Sequence, residues 1–400
     1  MNVRKGMTVT NLITRMKEAL VSRETIPWDV ACGGLDSAPR VLILSDRMDA
    51  TYYATFHFPL QYLQRKGLAD FAVISSARVR RALSGEMRAQ ELVDKLIADV
   101  SPRAVVFSRY AAPSGGELLR AVQSHGITAV YYCDDDLSNV PPDLGAGVLR
   151  AHATSEVVEE RRACLGTADW ILASTPYLAH ALREQFPTQQ TEVLRYPPYL
   201  ASLLQSVPCQ EDADKCQSMT IGYMGSKGHQ RDLDIAVPAL VGLMERIPNL
   251  RFETFGTVVM PDALSRFGRR VTAHAPRTSY EEFLQMLGGL HWDVGLAPLR
   301  DNPFNRCRSP IKYLEYTAAH IPTVASDVEI YRQAMDGGCG LLVRDQDWEA
   351  ALGRVVLDGA LRRSCLGRAR ESCAIRFAVH DVAMSLLAAL HIHASHGSVQ

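Results

Sequence analysis

The chain has 400 residues, 47% of them hydrophobic and 22% charged, with 43 Lys and Arg against 44 Asp and Glu. Such a length suggests two cores rather than one. The near-zero net charge excludes a general nucleic-acid binder, which needs a basic excess to neutralise phosphates, and no apolar run approaches the roughly 18 residues that span a bilayer.

Residues 1–38 read as an amphipathic extension, with Leu12, Met16 and Leu20 on one side, followed by a loop rich in Gly and Ser. It lacks the continuous apolar stretch of a secretory signal. Short runs rich in Val and Ile then alternate with longer helical patterns, which predicts repeated βαβ units. Strands are expected over 41–44, 71–74, 104–107, 128–132, 170–173 and 192–194, forming one domain over 39–200. Periodicity fades at 201–218, a linker carrying Pro208 and several acidic residues. It resumes over 219–378, with strands at 220–223, 251–255, 271–273, 294–297, 323–325 and 341–343. The closing segment, 379–400, presents Val382, Met384, Leu386, Leu387 and Leu390 and is expected to pack back on the first domain. The fold class is therefore α/β, with two Rossmann-like, doubly wound parallel sheets facing across a cleft. Open parallel sheets bind ligands at the carboxyl ends of their strands, so function belongs in that cleft. Nine cysteines, none in a C-x-x-C pair or near a zinc-like His spacing, read as reduced thiols of a cytosolic protein.

The most informative stretch runs from Asn305 to Tyr316. Ser309 is a favoured N-cap and Pro310 a favoured first helical residue, so a helix is predicted to open there, with Ile311 following. Arg306, Arg308 and Lys312 surround that opening. A helix N-terminus already carries partial positive charge, so cations gathered beside it are unfavourable unless an anion binds. The alternative is arginines screened by solvent. Glu315, between one and two turns on, shares a strip with Lys312 and can accept two hydroxyl hydrogen bonds from a ribose, or else pair with Lys312. A glycine turn after the first strand of this half, Gly225 to Arg231, offers close backbone approach to a ligand at Gly225 and Gly228, beside Ser226, and phosphate charge from Lys227, His229 and Arg231. Asp232 is expected to cap the next helix.

From Thr220 to about Phe377 these features resemble the nucleotide-sugar domain of group 1 glycosyltransferases, also called family 4, which have the two-Rossmann GT-B fold. The resemblance rests on Gly222-Tyr-Met-Gly225, Trp292-Asp-Val-Gly-Leu-Ala-Pro298, the Asn305 to Tyr316 stretch and Pro322-Thr-Val-Ala-Ser326. It implies that Glu315 holds the ribose, that the sugar is transferred with retention and that no metal or organic cofactor is needed. The family's first motif Glu falls at Cys307, and its phosphate-binding Arg and Lys fall at Ser226 and Arg231. A subset with an Asn, Lys-Ser, Lys, Glu-Tyr pattern fits better, with Arg308 in the Lys position.

On the acceptor side, Asp134, Asp135 and Asp136 end a predicted strand. Asp134 and Asp135 are candidates for orienting or deprotonating an acceptor hydroxyl, against a turn-forming role or a divalent-metal site. Tyr52, Tyr53 and His57 are placed to stack on a sugar or simply to begin a helix, and Arg109 ends another cleft-facing strand. Arg78, Arg80, Arg81 and Arg88, with Val79, Leu83 and Met87, form a basic amphipathic pattern; peripheral contact with the inner face of a membrane is weighed there against a solvated arginine face. The expected function is transfer of a sugar from a nucleotide-sugar donor to a hydroxyl-bearing glycan, lipid-linked or protein acceptor, in surface glycan or glycoconjugate synthesis. Arg231 and Lys312, with Arg308, would stabilise the leaving diphosphate. The alternatives are a nucleotide-sugar epimerase or hydrolase on the same scaffold, and a catalytically inactive binding partner.

Overall fold

The computed structural model describes residues 28–35, 37–194, 218–376 and 378–392; the predicted N-terminal helix and most of the predicted linker lie outside the described residues. The first sheet contains β1 (Arg40–Ser45), β2 (Asp70–Ser75), β3 (Ala104–Ser108), β4 (Thr128–Cys133), β5 (Trp170–Ala173) and β6 (Thr191–Val193), in the order β2-β1-β3-β4-β5-β6. The second contains β7 (Met219–Gly225), β8 (Leu250–Gly256), β9 (Val271–His274), β10 (Val294–Ala297), β11 (Thr323–Ser326) and β12 (Leu341–Val343), in the order β12-β11-β10-β7-β8-β9. Every pairing between these strands is parallel. Helices cover both faces of each sheet, so central strands such as β1 and β3 are buried residue after residue, which is why they read as unbroken apolar runs rather than alternations.

Each sheet has a switch point where the strand order reverses: between β1 and β3 in the first, and between β7 and β10 in the second. Crevices form at the carboxyl ends of such pairs. In the second sheet the crevice is occupied by the helix Ile311–Ala318, which Tyr316 fastens down. The Tyr316 hydroxyl donates to the Leu296 carbonyl at 3.0 Å and accepts from the Met224 amide at 3.0 Å, bridging β10 and β7. Its ring lies flat on Gly295, where an added Cβ would come within 2.8 Å of it. Glycine at 295 is what lets this helix sit so low on the sheet.

The last helix, Val379–Ala389, lies on the first half of the molecule. Ala383, Leu386, Leu387 and Leu390 join a core with Tyr52, Phe56, Leu60 and Leu63, and Trp170 Nε1 donates to the Ala389 carbonyl at 3.2 Å. The basic amphipathic pattern does not form one helix. Ser76–Leu83 ends before Gly85, and Arg88 is the N-cap of the separate helix Ala89–Val100. Val79, Leu83 and Met87 pack on the first core, and Arg78 pairs with Asp29 at 2.8 Å. No single described helix is long and apolar enough to cross a membrane.

Candidate functional site

The two halves meet over a cavity of about 160 Å³ lined from the first half by Thr51, Arg109, Asp134 and Asp135, and from the second by His229, Arg308, Ser309 and Lys312. A larger recess of about 770 Å³ opens beside Arg40, Arg103 and Thr128, at the amino ends of β1, β3 and β4. Ligands of open parallel sheets gather at the opposite, carboxyl ends, so the smaller cavity is the site.

The second-half wall is built around cations. Lys312, on the first turn of Ile311–Ala318, is 8% exposed, and its Nζ has neither a hydrogen bond nor an ion pair among the described residues; it lies 5.9 Å from the centre of the Tyr223 ring. Burial first, and Arg308 second, push it down to about 8. Arg308 stacks on Phe304, and its Nη1 lies 2.8 Å from His229 Nδ1. Its Nε receives only a 3.6 Å contact from Asp135 Oδ1 across the cleft. His229 Nδ1 also lies 3.1 Å from Asp232 Oδ2, a geometry that would suit an imidazolium. Burial, Lys312 and Arg308 outweigh that carboxylate and push His229 down to about 3, so the ring is neutral. This wall thus offers the buried charge of Lys312 and the partly buried charge of Arg308 around a neutral imidazole, with the Asp232 carboxylate 3.8 Å from Arg308 Nη1 on the inner side.

Several sequence expectations change here. The helix N-cap is Pro310, with no side-chain cap, and Ser309 lines the cavity instead. A short helix, Pro303–Arg306, capped by Asn302, precedes it and sets the approach; the proline ring also disfavours a helical backbone at Ser309. Arg306 turns away to pair with Asp301 at 2.6 Å, so the helix start keeps two cations of the predicted three. Arg231 does not line the cavity either: more than half exposed, it sits 3.5 Å from Asp143 of the first half, which Arg300 also holds at 2.8 Å. Ser226 and Lys227 are exposed on the rim, while the Gly225 carbonyl accepts from the Thr257 and Val258 amides. Asp232 is no cap. It is a buried hub that accepts from the Arg300 amide at 3.1 Å and from Asn305 Nδ2 at 3.2 Å, so Asn305 is structural as well. Burial opposes ionisation of Asp232, but His229, the Arg300 amide and Arg308 together hold it below the usual carboxylate range.

Glu315 lies one turn deeper than Lys312, 5% exposed and behind the cavity wall. It accepts a hydrogen bond from the Tyr280 hydroxyl at 2.8 Å. Burial pushes it up to about 7 against the opposing pull of that bond and of Lys312. Sequence reasoning missed Tyr280, whose role depends on a contact between elements far apart in the chain.

On the first-half wall, Arg109 follows β3 in a left-handed conformation with φ of 52°, costly for a non-glycine residue and therefore over-determined by its surroundings. Its guanidinium holds Asp49 in an ion pair, reaches Thr51 Oγ1 at 3.3 Å and lies 3.6 Å from Asp134 Oδ1. Arg109 is thus occupied by protein partners. Asp135 is raised above the carboxylate range by its enclosure, with Arg308 pulling back and the charge of Asp134 adding to the rise. Tyr52 is not in the cleft: it is 1% exposed in the first core, with its hydroxyl 2.9 Å from His57 Nδ1. Tyr53 instead meets Tyr280 of the other half, ring centres 5.8 Å apart. It belongs to the π-helical turn Tyr53–His57, an element often found at functional sites. Among the described residues no group of three or more His, Cys, Asp and Glu side chains is arranged to hold a metal ion.

No family model matches the chain, and no curated protein matches it by sequence. Solved structures do match. An E. coli trehalose-6-phosphate synthase structure bound with UDP-2-fluoro glucose superposes with a TM-score of 0.59 at 14% identity, over 88% of this chain and 99% of that one. A UDP-forming α,α-trehalose-phosphate synthase from Burkholderia xenovorans gives 0.59 at 12% identity, over 88% and 99%. The sucrose-phosphate synthase of Thermosynechococcus elongatus gives 0.57 at 15% identity, over 88% and 98%. These neighbours are GT-B glycosyltransferases, and the chain shares their two-domain α/β fold.

Proposed function

We propose that the protein is a retaining glycosyltransferase of the group 1 type, moving a sugar from a nucleoside diphosphate sugar to a hydroxyl acceptor. The observation that carries this reading is Lys312, buried on the first turn of Ile311–Ala318 at the switch point of the second sheet without any charged partner within hydrogen-bonding distance, with the partly buried Arg308 beside it. Burying an unpaired ammonium is expensive, and a diphosphate is the anion whose charge and bidentate oxygens suit both cations together with the helix N-terminus. Glu315, one turn further along the same helix and covered by Tyr280, would meet the ribose only once the halves part and uncover it. Glycosyl transfer with retention is described for trehalose-6-phosphate synthase, a neighbour in fold, and supports the same course here. In that course the bond from the anomeric carbon to the diphosphate breaks as the acceptor oxygen bonds on the same face, and the hydroxyl proton passes to a carboxylate of the first-half wall. Arg308 and Lys312 stabilise the negative charge that develops on the diphosphate. Ser309 and the backbone at Ile311 meet the phosphate oxygens, as groups at a helix start do.

The cavity of about 160 Å³ holds a diphosphate-sized group but not a whole nucleotide sugar, since small-molecule sites usually span roughly 300–1,000 Å³. Donor entry therefore parts the two halves. We place the enzyme in surface glycan or glycoconjugate synthesis in the cytoplasm, a compartment in which free thiols such as those of the described cysteines persist. The test is a thermal-shift screen of nucleoside diphosphate sugars, followed by mass spectrometry of transfer products with neutral glycans, lipid-linked sugars and sugar phosphates as acceptors. Protection by at least one donor, and a mass gain on an acceptor that depends on Arg308 and Lys312, is the expected result. No protection by any donor would remove the reading, and rapid donor turnover without acceptor would favour a hydrolase or epimerase.

A further inference from the structure

Asp134 and Asp135 leave the end of β4 as neighbours but engage opposite walls of the cleft. Asp134 stays with its own half. Its Oδ2 accepts from Thr51 Oγ1 at 2.5 Å, while its buried Oδ1 accepts no hydrogen bond among the described residues and has Arg109 Nη1 at 3.6 Å, beyond hydrogen-bond length. Because the Thr51 hydroxyl donates to Asp134, its oxygen is left to accept from Arg109 Nη1 at 3.3 Å, and Arg109 is in turn held by Asp49. The direction of every hydrogen in this chain is thereby set. Asp135 crosses the cleft instead, with Oδ1 3.6 Å from Arg308 Nε, a contact too long to be a hydrogen bond.

We propose that these two carboxylates have separate tasks: Asp134 receives the acceptor hydroxyl on its unbonded Oδ1, and Asp135 is the counter-ion that Arg308 gives up when the diphosphate binds. Thr51, Arg109 and Asp49 are positioning residues for Asp134. The proposal rests on the donor reading above. Adjacent carboxylates take different roles when their surroundings differ, and here one is fixed by three groups of its own half while the other leans on a cation of the opposite half. A diphosphate carries more charge than Asp135 and offers Arg308 the bidentate geometry that the 3.6 Å contact lacks. Donor binding must therefore break the Asp135 contact, so Asp135 weakens the grip on donor and hastens release of the nucleotide product. Arg109, neutralised by Asp49 and Asp134, acts on the reaction through Asp134 and not by holding a substrate anion.

Calorimetry of the full chain with inorganic pyrophosphate and with UDP tests the donor half of the assignment. Asp135→Asn is expected to tighten both ligands by about tenfold, since an opposing charge beside the anion is removed. Asp134→Asn should leave both within about twofold while lowering kcat by about a hundredfold or more, the scale of a lost acid–base or orienting group. Asp135→Ser, checked by circular dichroism, serves if the amide variant does not fold. For the positioning set, Thr51→Val should lower kcat while leaving the affinity for UDP within about twofold, because Asp134 loses the hydrogen bond that aims it; Thr51→Ser should restore kcat. Equal tightening by the Asn variants at 134 and 135, or none at 135 in a protein that does bind UDP, overturns the division of roles and leaves the donor reading standing. No binding of pyrophosphate or UDP by the wild type or by Asp135→Asn removes both. Full turnover by Asp134→Asn, or an unchanged kcat in Thr51→Val, removes the acceptor half.

Discussion

Tyr280 donates its hydroxyl hydrogen to Glu315 Oε1 at 2.8 Å, and the same ring is covered from the other half by Tyr53 and Phe58, whose centres lie 5.8 and 6.3 Å away. The carboxylate assigned to the ribose is thus under the control of an aromatic contact that exists only while the halves are together.

Donor affinity should have a maximum between about pH 7 and 8. Below about 7 Glu315 becomes protonated and accepts ribose hydroxyls less well; above about 8 Lys312 loses its charge and the diphosphate its partner. Calorimetry with a nucleoside diphosphate sugar, whose diphosphate does not titrate in this range, reads both limbs. Glu315→Gln should abolish the acidic limb and keep the alkaline one.

The same groups predict how stability moves with pH. Glu315 has a folded pKa raised from 4.5 to about 7, so its protonated form contributes stability that is fully present below about 4.5 and lost as pH rises through 7. Lys312 is lowered from 10.5 to about 8, so its cost to stability is fully present below 8 and relieved as pH climbs towards 10.5. Chemical denaturation of Glu315→Gln should show a gain relative to wild type, growing between pH 5 and 8 to on the order of 3 kcal/mol.

Lys312→Met should raise the melting temperature, because an unpaired buried charge is exchanged for an apolar chain of similar length. It should also weaken nucleoside diphosphate binding by about 1–3 kcal/mol, as a charge-assisted contact is lost. A rise in stability without that loss would show that the ammonium does not meet the ligand.

Gly295→Ala should destabilise the protein by about 1–3 kcal/mol through overpacking, because its Cβ would meet the Tyr316 ring at 2.8 Å. The helix Ile311–Ala318 should then ride higher on the sheet, so donor affinity falls together with the melting temperature. Pairing it with Tyr316→Leu, which makes room for the methyl group, should recover part of the stability.

Leu386→Ala should cost about 2–5 kcal/mol, the usual range for a large-to-small change in a core, since Leu386 is 1% exposed against the first half. Removing residues 379–400 should expose that apolar surface and cause aggregation, measurable by light scattering.

All the strands were legible because each is a short apolar run flanked by turn residues, and that pattern is a local property. That Arg308 and Lys312 share one cavity wall was legible for a related reason: cations close together near a predicted helix start signal charge that has to be met. The errors arose where partners lie far apart in sequence. Arg231 looks like a phosphate contact until Asp143 is found beside it, and Asp232 looks like a cap until Asn305 and the Arg300 amide are seen to converge on it. Tyr52 and Tyr53 are adjacent, yet one fills a core and the other meets the opposite half; the π-helical turn that separates them has no sequence signature. Ser309 failed as a cap because a second short helix, capped by Asn302, had already set the path of the backbone.

The return of the chain to its starting half, where Val379–Ala389 lies on the first core, ties the two halves together by two covalent crossings, one after Leu194 and one after Arg376. Two strings restrict the relative motion of the halves more than one would. Any parting of the halves has to keep both crossings intact, so Asp135 and Arg308 stay tethered to one another through two separate stretches of chain.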